Sequence, residues 1–201
     1  DTRTEVLIAE SLRPVTFTDA KQCEVASGAW KCPYTDRTFS DPRQLDVDHM
    51  VPLAEAHRSG GARWTKQQRT DYANDLSDPD QLVAVYKGAN RSKGAKTIAQ
   101  WLPEEPGERC HYVEMWMHVK TRWKLRIDEA EHAAADLYLS VCAAGGVPEA
   151  GKAIAAPRER EHEVTDTSQS CCRHCKKGKP CGDACIAADK VCRAPPGCAC
   201  R

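Results

Sequence analysis

LDVDHMVPLAEA (45–56), ANDLSDPDQLVAVY (73–86) and GANRSKGAK (88–96) are three pieces of the stretch whose reading decides the fold. LDVDHMVPL follows Pro42 and predicts a strand that Pro52 stops, because proline cannot donate to a ladder. A polar loop with Gly60-Gly61 comes next, and Thr65 is placed to cap a helix over WTKQQRTDYAND (64–75). Asp78-Pro79 predicts a turn and Leu82–Tyr86 a second strand. ANRSKGAKTIAQWL (89–102) reads as helical as far as Pro103. The order is strand, loop, strand, helix. Asp48 and His49 stand side by side on the first strand, and Asn90 opens a basic segment about forty residues later.

Outward from this stretch, TEVLIAESLR (4–13) predicts a short helix stopped by Pro14, and Val15–Phe39 predicts short strands and loops. Cys23 and Cys32 bracket a hairpin-like piece there, so a local disulfide is expected between them. Beyond PEEPGERC, the residues Tyr112, Met115, Trp116, Val119 and Trp123 recur at i, i+3, i+4, i+7 and i+11, the stripe of a core-facing helix. Glu114, Lys120 and Lys124 are read onto its other faces. Asp128 is placed to cap a second helix, DEAEHAAADLYLSVC (128–142), and an antiparallel hairpin of the two would let Cys110 join Cys142. Gly145–Ser170 has few large apolar residues and reads as a linker.

The chain has 201 residues and a formal net charge of zero, which does not by itself announce a nucleic-acid partner. That balance conceals an asymmetry: after Gly145–Ser170, residues 171–201 carry seven Lys and Arg against two Asp, so a basic tail follows a net acidic body. Twelve cysteines, eight of them in those last 31 residues (Cys171, Cys172, Cys175, Cys181, Cys185, Cys192, Cys198 and Cys200), indicate disulfides and an oxidising compartment. With little apolar beyond Ile186 and Val191, the tail needs cross-links to fold. His174 in CCRHC is a conceivable zinc ligand, but four disulfides are the preferred use of those cysteines. No apolar run is long enough to span a membrane. The start at Asp1, with no apolar leader, is taken to mean that a secretion signal has been removed.

Hydrolysis of a phosphodiester needs an activated water, a cation on the phosphate oxygens and a fixed geometry. His49 is suited to be the base, since an imidazole with a pKa near ~6.5 is neutral at working pH. Asp48 and Asn90 offer hard oxygens that suit Mg2+, or another divalent cation such as Mn2+, with most of its shell left open. One geometric obstacle stands out: neighbours on a regular strand point to opposite faces, so Asp48 and His49 serve one site only where the strand bends or ends. Arg91, Lys93 and Lys96, at the start of the expected helix, are candidates for phosphate contact, with Arg69 and Lys66 behind them. His57, His111, His118, His132 and His162 are assigned no role.

DHMVPLAEA, NDLSDPDQLVAV and ANRSKGAK resemble the HNH nucleases of the ββα-metal (His-Me finger) class. LDVDHMVPLAEAHRSGGARWT, ANDL, NRSKGAK, WLP and YVEMWMHVKTRW look like a secreted bacterial group of such endonucleases, the DUF1524-related group, over roughly residues 15–135. The resemblance implies an α+β fold with a ββα-metal core at about 45–102 in a nuclease domain at 1–144, to which composition adds a linker at 145–170 and a small disulfide-rich module at 171–201. It implies His49 as general base with Asp48 and Asn90 as metal ligands. The asparagine that would orient the base is open between Asn74 in ANDL and Gln81 nine residues before Asn90. The zinc-binding cysteine pairs that flank the motif in many such proteins are missing between Cys32 and Cys110.

The activity expected is backbone-gripping cleavage of DNA, with RNA as the alternative substrate, and with little sequence specificity, since no base-reading motif is present. The rivals are a noncatalytic nucleic-acid or envelope binder with a degenerate nuclease fold, and a toxin neutralised by an immunity partner.

Overall fold

The computed structural model describes residues 1–149, 173–182, 184–192 and 199–200, with only the backbone of 173, 174, 199 and 200. Two compact units divide the chain, residues 1–157 and 158–201.

In the first unit, Asp1 caps helix α1 (Thr2–Ala9) by accepting from the Thr4 amide. Two small antiparallel pairs follow, β1 (Thr16–Phe17) with β2 (Val25–Ser27) and β3 (Trp30–Lys31) with β4 (Thr38–Phe39). Strand β5 (Leu45–His49) is followed by α2 (Leu53–Arg58) and α3 (Lys66–Ala73), and then by β6 (Leu82–Tyr86). Helix α4 (Lys87–Lys93) starts directly at the end of β6. Helices α5 (Arg109–Arg122) and α6 (Glu129–Ala143) complete the unit.

β5 and β6 pair antiparallel from Leu45 opposite Tyr86 to His49 opposite Leu82 without a bulge. Thr65 forms a full capping box with Gln68 at the start of α3, and Asp128 forms another with Glu131 at α6. Two helices differ from expectation. LAEAHR forms α2 where a polar loop was expected, because Ala, Leu and Glu favour the helix once Pro52 has ended the strand. Helix α4 is half as long as the segment 89–102 allows, because Gly94 takes φ +53 in the left-handed region and closes it.

The core is aromatic. Trp30, Tyr34, Tyr72, Tyr112 and Trp116 are fully buried, and α5 supplies Tyr112, Met115, Trp116 and Val119 to it as its spacing predicts. Lys120 corrects the reading of that helix. It sits four residues after Trp116, hence on the same face, and is fully buried, with its ammonium 2.8 Å from Glu55 of α2 and 2.7 Å from Glu131 of α6. The Ser59 hydroxyl and the Arg126 carbonyl, at 2.9 and 3.0 Å, share its third proton. Cys110 and Cys142 form a disulfide that ties the first turn of α5 to the last turn of α6. Cys23 and Cys32 do not pair: Cys23 is exposed, while Cys32 is buried with its sulfur accepting from the Tyr86 amide at 3.2 Å. The β3–β4 turn carries Cys32 into the core, away from solvent, and so overrides their closeness in sequence.

In the second unit, β7 (Arg173–His174) pairs with β10 (Ala199–Cys200) and β8 (Lys179–Cys181) with β9 (Ala184–Ile186). Cys175–Cys185 and Cys181–Cys192 are disulfides, which removes these four from any zinc site. Cys171, Cys172 and Cys198 lie outside the described residues, as does most of the expected linker, and of Cys200 only the backbone is described. Among the described residues no helix is long and apolar enough to cross a membrane.

Candidate active site

The end of the β5–β6 ladder carries the chemistry. His49 is the last residue of β5, half-buried, with its ring stacked parallel to Tyr72 at 6.0 Å. Its Nε2 lies 3.1 Å from the Ala73 carbonyl oxygen at the end of α3. A carbonyl only accepts, so Nε2 carries the hydrogen and Nδ1 is the basic nitrogen of the neutral ring. Burial pushes the His49 pKa below its ordinary value, against the opposing pull of the Ala73 hydrogen bond and the Asp48 charge.

Neither residue proposed from the sequence holds this ring by its side chain. Asn74 caps α3 and spends its amide on Thr70 and Thr2, at 3.0 and 2.8 Å. Gln81 is fully buried; its Nε2 donates to the Tyr72 carbonyl at 3.0 Å and its Oε1 accepts from the Trp123 indole at 3.0 Å. Gln81 therefore anchors the peptide next to Ala73, the residue whose carbonyl meets His49. It reaches the ring through the backbone.

Asp46 and Asp48 share the opposite face of β5, two residues apart, and α4 crosses that face. Asn90 donates its amide N–H to Asp46 at 3.1 Å, and one helical turn on Lys93 donates to Asp48 at 2.7 Å. Tyr34 adds a second bond to the same Asp48 oxygen at 2.9 Å, and the Lys93 ammonium also reaches the His49 carbonyl at 2.9 Å. Burial raises the Asp48 pKa and lowers that of Lys93, and the attraction between them opposes both shifts.

β5 thus remains regular through His49, and the alternation that stood as an obstacle is present. The acidic pair faces α4, while His49 turns toward α3. Asp48 and Lys93 nevertheless lie close enough to His49 for both charges to act on its pKa. Two signals for this arrangement lay in the sequence: Asp46 and Asp48 at i and i+2 on a strand, and Asn90 and Lys93 at i and i+3 on a helix.

The expected phosphate-binding residues are dispersed. Arg91 and Lys93 belong to the last turn of α4 and Lys96 lies beyond it, because the helix ends at Lys93, while Lys66 and Arg69 are on α3. Lys93 is fully buried and serves Asp48. Arg91 and Lys96 are exposed, with the Lys96 ammonium on the Ser92 carbonyl at 2.8 Å. Arg69 is exposed and donates to the Trp64 carbonyl at 2.6 Å, and Lys66 is exposed. His118, assigned no role above, joins Asp78 at 2.6 Å, with Asp80 close by. Arg122 lies 3.4 Å from the same Asp78 oxygen and already supplies this cluster with a counter-charge.

The paired strands β5 and β6, with α4 following at once on β6, make the first unit an α+β domain. The chain belongs to the family described as GmrSD restriction endonucleases, C-terminal domain, whose model matches residues 3–134. An uncharacterized secreted protein of Arthroderma benhamiae is 40% identical to it over 120 residues, covering 60% of this chain and 58% of that protein. That relative is fungal, so the resemblance is not confined to bacteria. No solved structure matches the chain. With its disulfides and this relative, the chain is placed in an oxidising, extracellular compartment.

Proposed function

We propose that the chain is a divalent-cation-dependent endonuclease that hydrolyses phosphodiester bonds of DNA, and by the same chemistry RNA, with little sequence specificity. A nuclease domain at 1–144, built on a ββα-metal core at about 45–102, would carry the activity, with 171–201 as an appended module. The observation that carries this reading is His49: its Nε2–H is taken by the Ala73 carbonyl, which leaves Nδ1 as the basic nitrogen of a half-buried ring at the end of β5, close enough to Asp48 for that charge to act on it.

His49 Nδ1 accepts the proton of the attacking water, and Ala73, anchored through Gln81, holds the ring as charge develops on it. Asp48, Asn90 and the neighbouring Asp46 offer the hard oxygens that Mg2+ or Mn2+ prefers. The Lys93 ammonium at 2.7 Å and the Tyr34 hydroxyl at 2.9 Å both hold one Asp48 oxygen, so a cation would use the other oxygen of that carboxylate together with Asp46 and the Asn90 carbonyl oxygen. A bound divalent cation supplies charge neutralisation on the phosphate oxygens. Arg91, Lys96 and Arg69 are exposed for contact with backbone phosphates, which gives grip without base readout.

The test is cleavage of plasmid DNA and of a folded RNA, with EDTA and then with Mg2+, Mn2+, Ca2+ or Zn2+ restored. Cleavage that EDTA abolishes and one of the cations restores is expected. Cleavage of neither substrate under any cation would leave the chain a noncatalytic member of its family.

A further inference from the structure

A cleft of about 330 Å3 opens on the side of α4 that carries Gly88, Ala89 and Ser92. Its size lies at the lower end of the roughly 300–1,000 Å3 typical of small-molecule sites. Tyr86 and Trp101 supply half-exposed aromatic surface, Thr35 a hydroxyl, Glu104 and Glu105 two carboxylates, and Arg37 a guanidinium. The Thr35 hydroxyl oxygen is buried without a hydrogen-bond partner, and no donor among the described residues reaches either carboxylate. Gly88 keeps the cleft open: a Cβ there would lie 2.5 Å from the Tyr86 ring. The Trp101 indole is fixed by its bond to Ser92 at 3.1 Å, and Arg37 lies 5.8 Å from the centre of the Tyr86 ring.

We propose that this cleft is a subsite for one unpaired nucleobase bearing an exocyclic amino group, next to the bond that is cut. The proposal rests on the nuclease reading and deepens it. Two carboxylates repel a phosphate, so the occupant presents a base to them, and carboxylates accept from an amino group such as cytosine N4. Aromatic walls stack on any base, and the exposed Arg37 meets the phosphodiester that follows it. The cleft adjoins the proposed site through shared parts. Asn90 belongs to the same helix, and Tyr34 lines the cleft while donating its hydroxyl to Asp48. A base inside duplex DNA cannot enter, so the site favours single-stranded or locally opened substrate.

The experiment is fluorescence anisotropy of the full chain in EDTA, so that no strand is cut, with labelled eight-nucleotide strands of dC, of dT and of abasic sites with equal phosphate number. The dC strand is expected to bind about tenfold or more tightly than the abasic one, and more tightly than dT. The exposed-side double variant Glu104→Gln/Glu105→Gln, checked for unchanged thermal unfolding, is expected to lose the preference for dC over dT, while Arg37→Ala weakens all strands together. Equal binding of dC and abasic strands, or an unchanged preference in the double variant, overturns the cleft assignment. If plasmid is still cut in that case, the nuclease reading stands alone; if no strand binds and no nucleic acid is cut, both fall.

Discussion

Asp48 lies buried against a single cation, and that pairing makes the lysine a structural necessity. Removing one partner of a buried ion pair leaves an uncompensated charge and costs about 3–5 kcal/mol. Lys93→Met is therefore expected to lower the unfolding free energy obtained from urea titration by an amount in that range, with Asp48→Asn/Lys93→Met recovering part of the loss. A Lys93→Met protein as stable as the wild type would show that the pair is not buried in solution. The place of His49 at the end of a strand was legible in the sequence, because Pro52 stops the strand soon after it. The inward course of Lys93 was not: a lysine in a basic run reads as solvated until the helix facing it is placed. The holder of the His49 ring was illegible for another reason. It is a main-chain carbonyl, and a carbonyl leaves no signature in residue type.

At the scale of elements, side chains from outside the ladder take amides of β6: the Cys32 sulfur that of Tyr86 and the Glu10 carboxyl that of Ala84. Glu10, just after α1, accepts the Ala84 amide at 2.8 Å, and its burial raises its pKa from 4.5 to about 7. The unfolded chain ionises this group near 4.5 and the folded chain near 7, so the folded state binds the proton more tightly. Its stabilising contribution is fully present below about 4.5 and is lost as the pH rises through about 7. Glu10→Gln keeps an acceptor and removes the titration. Between pH 5 and 8 the wild type is expected to lose stability relative to that variant, on the order of 2 kcal/mol, in urea titrations at each pH. Parallel curves would contradict it. The two ladder strands, the capped α3 and the α5–α6 pair were legible because period and caps agree there. The length of α4 was not, since it turns on whether Gly94 adopts a left-handed conformation or continues the helix. Lys120 was also misplaced, because charge suggested a solvent face where spacing from Trp116 indicated the core.

For the molecule as a whole, disulfides add to what burial of apolar side chains supplies. The Cys110–Cys142 bond closes the α5–α6 hairpin across a separation of 32 residues, a loop for which chain-entropy arguments give about 2–4 kcal/mol. Cys110→Ser/Cys142→Ser is expected to lower stability by that amount in thermal or urea unfolding, while leaving the ladder that carries His49 in place. The oxidising, extracellular compartment was legible in the density of cysteines. The Cys23–Cys32 pairing was not, because spacing alone says nothing of which thiol the core takes in.

The central claim is that His49, oriented by a backbone carbonyl, is the base that cuts phosphodiester bonds. The most direct measurement is single-turnover cleavage of supercoiled plasmid by wild type and His49→Ala at equal Mg2+, with circular dichroism to show that both are folded. A loss on the order of a hundredfold to ten-thousandfold or more is expected for the variant; a folded His49→Ala protein that cuts at the wild-type rate would contradict the claim.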